Sequence, residues 1–117
     1  MTPLEESERE SRLWHILEAC TAVIEITQDR TLDNYVEDRI LRWAVERQLT
    51  NLGEAMSRLS KIDPQILSNI TAVSEIIAFR NFLVHDYPNV DAQEVWRVIR
   101  SELPILLKQV RALLPSP

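Results

Sequence analysis

Residues 41–59 read Leu-Arg-Trp-Ala-Val-Glu-Arg-Gln-Leu-Thr-Asn-Leu-Gly-Glu-Ala-Met-Ser-Arg-Leu, with apolar side chains at Leu41, Val45, Leu49, Leu52, Met56 and Leu59. Steps of three and four keep these residues on one face of an α-helix, and a strand would need alternation by two. A stripe this narrow is what closely packed helices require. Gly53 interrupts the helix at a cost of about 1 kcal/mol against alanine, so another helix is expected to approach closely there.

The same periodicity extends outward on both sides. Upstream, Leu13, Ile16, Leu17, Cys20, Val23, Ile24 and Thr27 define a long amphipathic helix ending near Asp29. Thr2-Pro3-Leu4-Glu5 has the form of a capping box with proline at the first helical position, and Ser7 to Glu10 offers a second start. Thr31 restarts the chain, with a short turn through Tyr35. Downstream, Asp63-Pro64 looks like an N-cap and first position of a short helical segment. A further helix is expected from Asn69 or Thr71 to Asp86. Asp91-Ala92-Gln93-Glu94, another capping-box pattern, opens the last one: Val95, Val98, Ile99, Leu103, Leu106, Val110 and Leu113. Pro104 lies inside it and should kink or break it, because it removes a backbone donor and crowds the preceding turn. The expected fold is all-α: an antiparallel four- to five-helix bundle occupying residues 1–117 as one domain.

Composition agrees. A chain of 117 residues with 45% hydrophobic residues and one glycine can build one core, and it lacks the glycines that tight hairpins need. No run approaches the roughly 20 apolar residues that span a bilayer, and Glu5-Glu6-Ser7-Glu8 has the wrong charge for a signal peptide, so a cytoplasmic protein without membrane contact is expected. Cys20 is the single cysteine and falls on the apolar face of the first helix, as a core thiol would. The net charge of −5 argues against a general nucleic-acid coat. Arg97, Arg100, Lys108 and Arg111 face only Glu102 after Trp96, and such a patch suits RNA contact or a solvated helix face equally. Trp14, Trp43 and Trp96 fall at helical positions and are expected in the core or at a dimer contact, and His15 on the surface.

The chemically loaded segment is Arg80-Asn81-Phe82-Leu83-Val84-His85-Asp86-Tyr87, before Pro88. Arg80 falls within the apolar stripe of Val73, Ile76, Ile77, Leu83 and Val84, so it needs a partner anion, a wet cleft or a ligand. Asn81 and His85 are one turn apart on one side of the helix. Histidine titrates near neutral pH and arginine forks onto phosphate, a pair sufficient for RNA cleavage without metal. The plainer alternative has Arg80 paired with an acid such as Glu54, His85 closing the helix end and Tyr87 merely packing.

Arg-x4-His-x-Tyr with asparagine after the arginine resembles the signature of HEPN-domain proteins, and specifically of HepT-like toxins. Val45-Glu46-Arg47-Gln48-Leu49 followed by Leu52-Gly53-Glu54-Ala55 is similar to that family's second long helix. Val90-Asp91 with Glu94-Val95-Trp96, and then Leu103-Pro104, are similar to its final one. The resemblance covers about residues 10–114. It implies a homodimeric, metal-independent RNA endonuclease without a cofactor, a toxin of a type VII-like toxin–antitoxin pair, with transfer RNA (or messenger RNA) as substrate. It also implies a minimal nucleotidyltransferase antitoxin, with which the dimer can form a higher hetero-oligomer, and which neutralises the toxin by moving AMP onto the motif tyrosine, by position Tyr87. The residues expected to act are Arg80 and His85 as catalytic groups and Asn81 in support. Two copies of the segment across a two-fold axis would supply two arginines and two histidines to one cleft. The alternative function is a non-catalytic RNA- or nucleotide-binding bundle that partners a nucleotidyltransferase. A purely structural dimer is a third.

Overall fold

A computed structural model describes residues 1–71, 73–85 and 90–115 of the chain. The described residues are helical, without strands: α1 (Pro3–Thr27), α2 (Leu32–Glu37), α3 (Arg39–Ile62), a 3-10 turn (Pro64–Asn69), α4 (Val73–His85), α5 (Ala92–Arg97), a π turn (Val98–Glu102) and α6 (Leu103–Leu113). This is the all-α bundle that the periodicity predicts.

The helix starts are set by local hydrogen bonds. Thr2 Oγ1 accepts from the Glu5 amide at 3.1 Å and Glu5 Oε1 accepts from the Thr2 amide at 3.0 Å, so the predicted capping box is present and the helix runs straight through Ser7 to Glu10. The restart at Thr31 is a second reciprocal box, with Asn34 in the place usually held by glutamate. Asp38, unnoticed in the sequence, caps α3 by accepting from the Leu41 amide at 3.0 Å. Two expected caps differ. Asp63 makes no side-chain cap before the 3-10 turn; its carboxylate instead meets Arg9 at 3.3 Å. Asp91 accepts from the Gln93 amide at 2.9 Å, but Glu94 turns outward to Arg97 and leaves the box half made.

The Arg9–Asp63 pair joins the start of α1 to the end of α3, which makes these two long helices antiparallel. At the other end, Arg100 donates to the carbonyls of Thr27 and Arg30, at 2.7 and 2.6 Å, so the π turn lies beside the C-terminus of α1. Leu113 and Leu114 return to Arg9, Glu10 and Leu13 at the other end. The core lies between these helices. Ile16, Cys20 and Val23 of α1, Val45, Leu52, Met56 and Leu59 of α3, and Val95, Ile99, Leu103 and Val110 of the last helix are almost wholly buried.

Pro104 neither breaks the last helix nor leaves it regular. The Leu103 amide bonds back to the Val98 carbonyl, five residues earlier, and the ladder widens into a π turn immediately before the proline. A proline supplies no amide to the carbonyl four residues behind it, and widening the preceding turn relieves that mismatch.

The tryptophans, expected in the core or at a dimer contact, divide. Trp14 and Trp43 are about half exposed, and of the three tryptophans only Trp96 packs against the core, tilted on Tyr35 with ring centroids 5.5 Å apart. The basic run near the C-terminus is largely used internally. Arg97 is held by Glu75, Glu94 and Glu102, and Arg100 stacks over Trp96 at 4.3 Å while it closes the end of α1. The solvated-patch and RNA-contact readings both omitted this structural role.

Candidate active site

Helix α4 carries the motif, and its placement begins with Gly53. A Cβ on Gly53 would lie 2.2 Å from the Cβ of Arg80 and 2.7 Å from its Cγ, so α3 must present a bare backbone for α4 to seat its arginine. The close approach expected at this glycine is therefore an approach by Arg80 itself.

From there the guanidinium reaches two partners. Nη2 donates to Glu54 Oε2 at 2.8 Å and Nη1 donates to Asn81 Oδ1 at 2.8 Å. Glu54 is shared, because its Oε1 accepts from Arg58 Nε at 3.0 Å. The Arg58 hydrogen bond, and after it the charge of Arg80, hold the Glu54 carboxyl below its usual range, so it is an anion at neutral pH. The Arg80 side chain is 27% exposed and Glu54 41%. The acid named from the sequence is thus the partner, but the pair lies half in water at a groove and not in the core. Arg58 was not singled out as a second partner, although its i,i+4 spacing from Glu54 was a readable signal.

The groove beside this pair has a volume of ≈ 520 Å³ and is lined by Glu8, Glu54, Ser57, Arg58, Lys61, Ile62 and Arg80. Three cations against two carboxylates make it mildly positive on a protein whose net charge is −5. The planar guanidinium uses one N–H of each terminal nitrogen on protein acceptors, which leaves the other two for an anion such as phosphate.

His85 is the last residue of α4 and is exposed. It follows Asn81 by one turn and Arg80 by five residues, which places it about 140° around the helix from Arg80 and about 7.5 Å along it. Within one chain the structure joins Arg80 to Asn81 directly and sets His85 on the Asn81 side. Tyr87 lies outside the described residues. His15 is exposed, as expected, and lines a second groove of ≈ 280 Å³ between α1 and α3 that also includes Glu54. Among the described residues, no three His, Cys, Asp or Glu side chains gather as metal ligands would. Likewise no described helix is long and apolar enough to cross a membrane.

Residues 16–113 match the family described as Ribonuclease HepT-like, and the chain belongs to that family. It is 34% identical over 102 residues to a "Putative RNase" of Caldanaerobacter subterraneus subsp. tengcongensis, covering 87% of this chain and 90% of that protein. A "Putative RNase" of Methanocaldococcus jannaschii is 30% identical over 98 residues, 84% of this chain and 89% of its own length. A "Probable ribonuclease HepT" of Thermococcus cleftensis is 26% identical over 95 residues, 78% and 82% of the two chains. No solved structure matches.

Proposed function

We propose that the protein is a metal-independent RNA endonuclease, the toxin of a type VII-like toxin–antitoxin pair. The observation that carries this reading is the arginine fork of Arg80, held at a groove by Glu54 and by Asn81, which itself stands one helical turn before the exposed His85, in a member of the HepT-like ribonuclease family.

Cleavage by the ribose 2′-hydroxyl needs a proton removed from the attacker and a proton delivered to the leaving oxygen. One exposed imidazole supplies one of these. A homodimer with two motif helices facing across a two-fold axis supplies both. One His85 takes the 2′-hydroxyl proton as that oxygen attacks phosphorus. The P–O5′ bond then breaks, and His85 of the partner subunit protonates the departing 5′-oxygen. Arg80 neutralises charge on the phosphoryl oxygens, and phosphate displaces neither Glu54 nor Asn81 because it takes the outward N–H groups. Asn81 fixes the fork from the motif side. The products are a 2′,3′-cyclic phosphate and a 5′-hydroxyl. Transfer RNA is the substrate class proposed first. The antitoxin is a minimal nucleotidyltransferase, which assembles with the toxin and transfers AMP to Tyr87. Bulk and negative charge there, two residues from His85, would fill the cleft.

A non-catalytic RNA- or nucleotide-binding module is the second reading, favoured by one observation: the charge of Arg80 is already met by Glu54. Incubation with transfer RNA in EDTA, comparing wild type with His85→Ala and resolving the product ends, separates the two. Cleavage by wild type alone, ending in a cyclic phosphate, is expected. Binding without cleavage by unmodified wild-type protein would select the second reading.

A further inference from the structure

A cavity of ≈ 440 Å³ lies between α2, the start of α3 and the start of α5, and the mechanism above does not use it. Tyr35, Arg39, Arg42, Trp43, Glu46 and Val90 line it. Its polar groups are unusual for a surface dent. Tyr35 is fully buried, yet its hydroxyl has no hydrogen-bond partner among the described residues. A buried phenol normally finds one. The phenol lies in the fields of the Glu46 carboxylate and, opposing it, the Arg42 guanidinium. Burial raises the Glu46 carboxyl above its ordinary range, against the opposing charge of Arg42.

At the rim, Trp43 is 50% exposed, and the Arg39 guanidinium sits 5.3 Å from its ring centroid. Arg42 anchors itself to the carbonyls of Tyr35 and Val36 at the end of α2 and keeps further donors for another acceptor. The cavity therefore offers an indole platform, two guanidinium groups and, in its wall, a phenol and a carboxyl. These are the groups that hold a nucleotide: a π face for the base, cations for phosphate, and donors and acceptors for the base edge.

Its location ties it to the motif. Val90 follows His85 by five residues, so their Cα atoms are at most about 18 Å apart. Arg42 and Glu46 precede Gly53 by eleven and seven residues, and both intervals return to the face of α3 on which Arg80 packs.

We propose that this cavity binds one nucleotide of single-stranded RNA, with the base stacked on Trp43, its edge read by Tyr35 and Glu46, and its phosphates on Arg39 and Arg42. The subsite engages the strand a short distance from the phosphate at Arg80 and rests on the reading of this protein as one that acts on RNA. Positive charge confined to such places suits a chain that is acidic overall.

The test measures binding of a short single-stranded oligoribonucleotide by fluorescence anisotropy, with His85→Ala as the parent so that the RNA stays whole. Trp43→Leu is expected to weaken binding about tenfold or more. Tyr35→Phe removes only the unpartnered hydroxyl, so the fold should be retained and binding weakened about two- to tenfold. This second variant keeps the test decisive if Trp43→Leu fails to fold. Unchanged binding by folded Tyr35→Phe and Trp43→Leu would overturn the proposal. So would a shift of Trp43→Leu from dimer to monomer in RNA-free sedimentation, because a second copy would then cover this face. Cleavage by wild type, assayed in parallel, separates the two readings. Loss of binding in the variants supports the subsite even if wild type cuts nothing, and cleavage with neutral variants overturns the subsite alone.

Discussion

Gly53 and Arg80 share one position in space: a methyl group on the first would stand 2.2 Å from the Cβ of the second. The root of a side chain cannot swing aside, so Gly53→Ala must push α4 off α3. Overpacking of this kind costs about 1–3 kcal/mol, partly offset by the gain of up to about 1 kcal/mol in helix propensity. A net loss of about 1–2 kcal/mol is expected in urea unfolding, with RNA cleavage reduced more than stability because Arg80 is displaced. An alanine variant as stable and as active as wild type would contradict this packing.

His85 presents the opposite case, an exposed side chain at a helix end. His85→Ala is expected to change stability by no more than about 0.5 kcal/mol, as surface substitutions usually do. Loss of a general acid or base lowers the cleavage rate by about 100-fold or more. Parallel denaturation curves and single-turnover cleavage assays check both halves. A variant that unfolds but, while folded, still cuts RNA would reverse the assignment.

Arg100 closes the C-terminal end of α1 through two carbonyl acceptors while stacking on Trp96. Arg100→Ala should cost about 1–2 kcal/mol, because it leaves those carbonyls to water and uncovers the indole. Arg100→Lys should recover only part of this, since an ammonium cannot present a planar face to the ring and bond both carbonyls. Equal stability of the alanine variant and wild type would show that water serves the helix end as well.

Two groups raised by burial contribute to the pH dependence with the same sign, opposite to that of the lowered carboxyl of Glu54. Burial raises Glu46, so above the ordinary glutamate value near 4.5 the unfolded chain has released a proton that the folded chain keeps. Stability therefore falls as pH rises through that window, and Glu46→Gln should flatten the slope. Burial likewise pushes the Cys20 thiol up to about 12 from 9.0, and stability should fall again as pH rises between those values. Urea midpoints measured from pH 4 upward test the first. For the second, native Cys20 should resist a thiol reagent that labels the unfolded protein at once. Rapid labelling under native conditions would show that Cys20 is not where the core places it.

The order of the helices, their starts at Thr2, Thr31 and Asp91 and the burial of Cys20 were legible because each depends on residues within a turn or two. Periodicity picks the face, and a short polar side chain satisfies the first amides. Asp63 and Glu94 show the limit of that logic, because a carboxylate with cap spacing chose a cation instead: Arg9, 54 residues away, and Arg97 in the next turn. The same applies to the basic run after Trp96, whose surplus of charge shrinks once Glu75 reaches Arg97 from α4. For the candidate site, the sequence by itself determined the chemistry: an arginine inside an apolar stripe that had to find an anion, with asparagine and histidine one turn apart. Only the tertiary structure decided that Gly53 makes room for the arginine, that Glu54 is shared between Arg80 and Arg58, and that Trp43 faces a cavity instead of the core. A helix repeats its faces by rule, but which face meets which neighbour depends on contacts between residues far apart in the chain, and no local pattern encodes those distances.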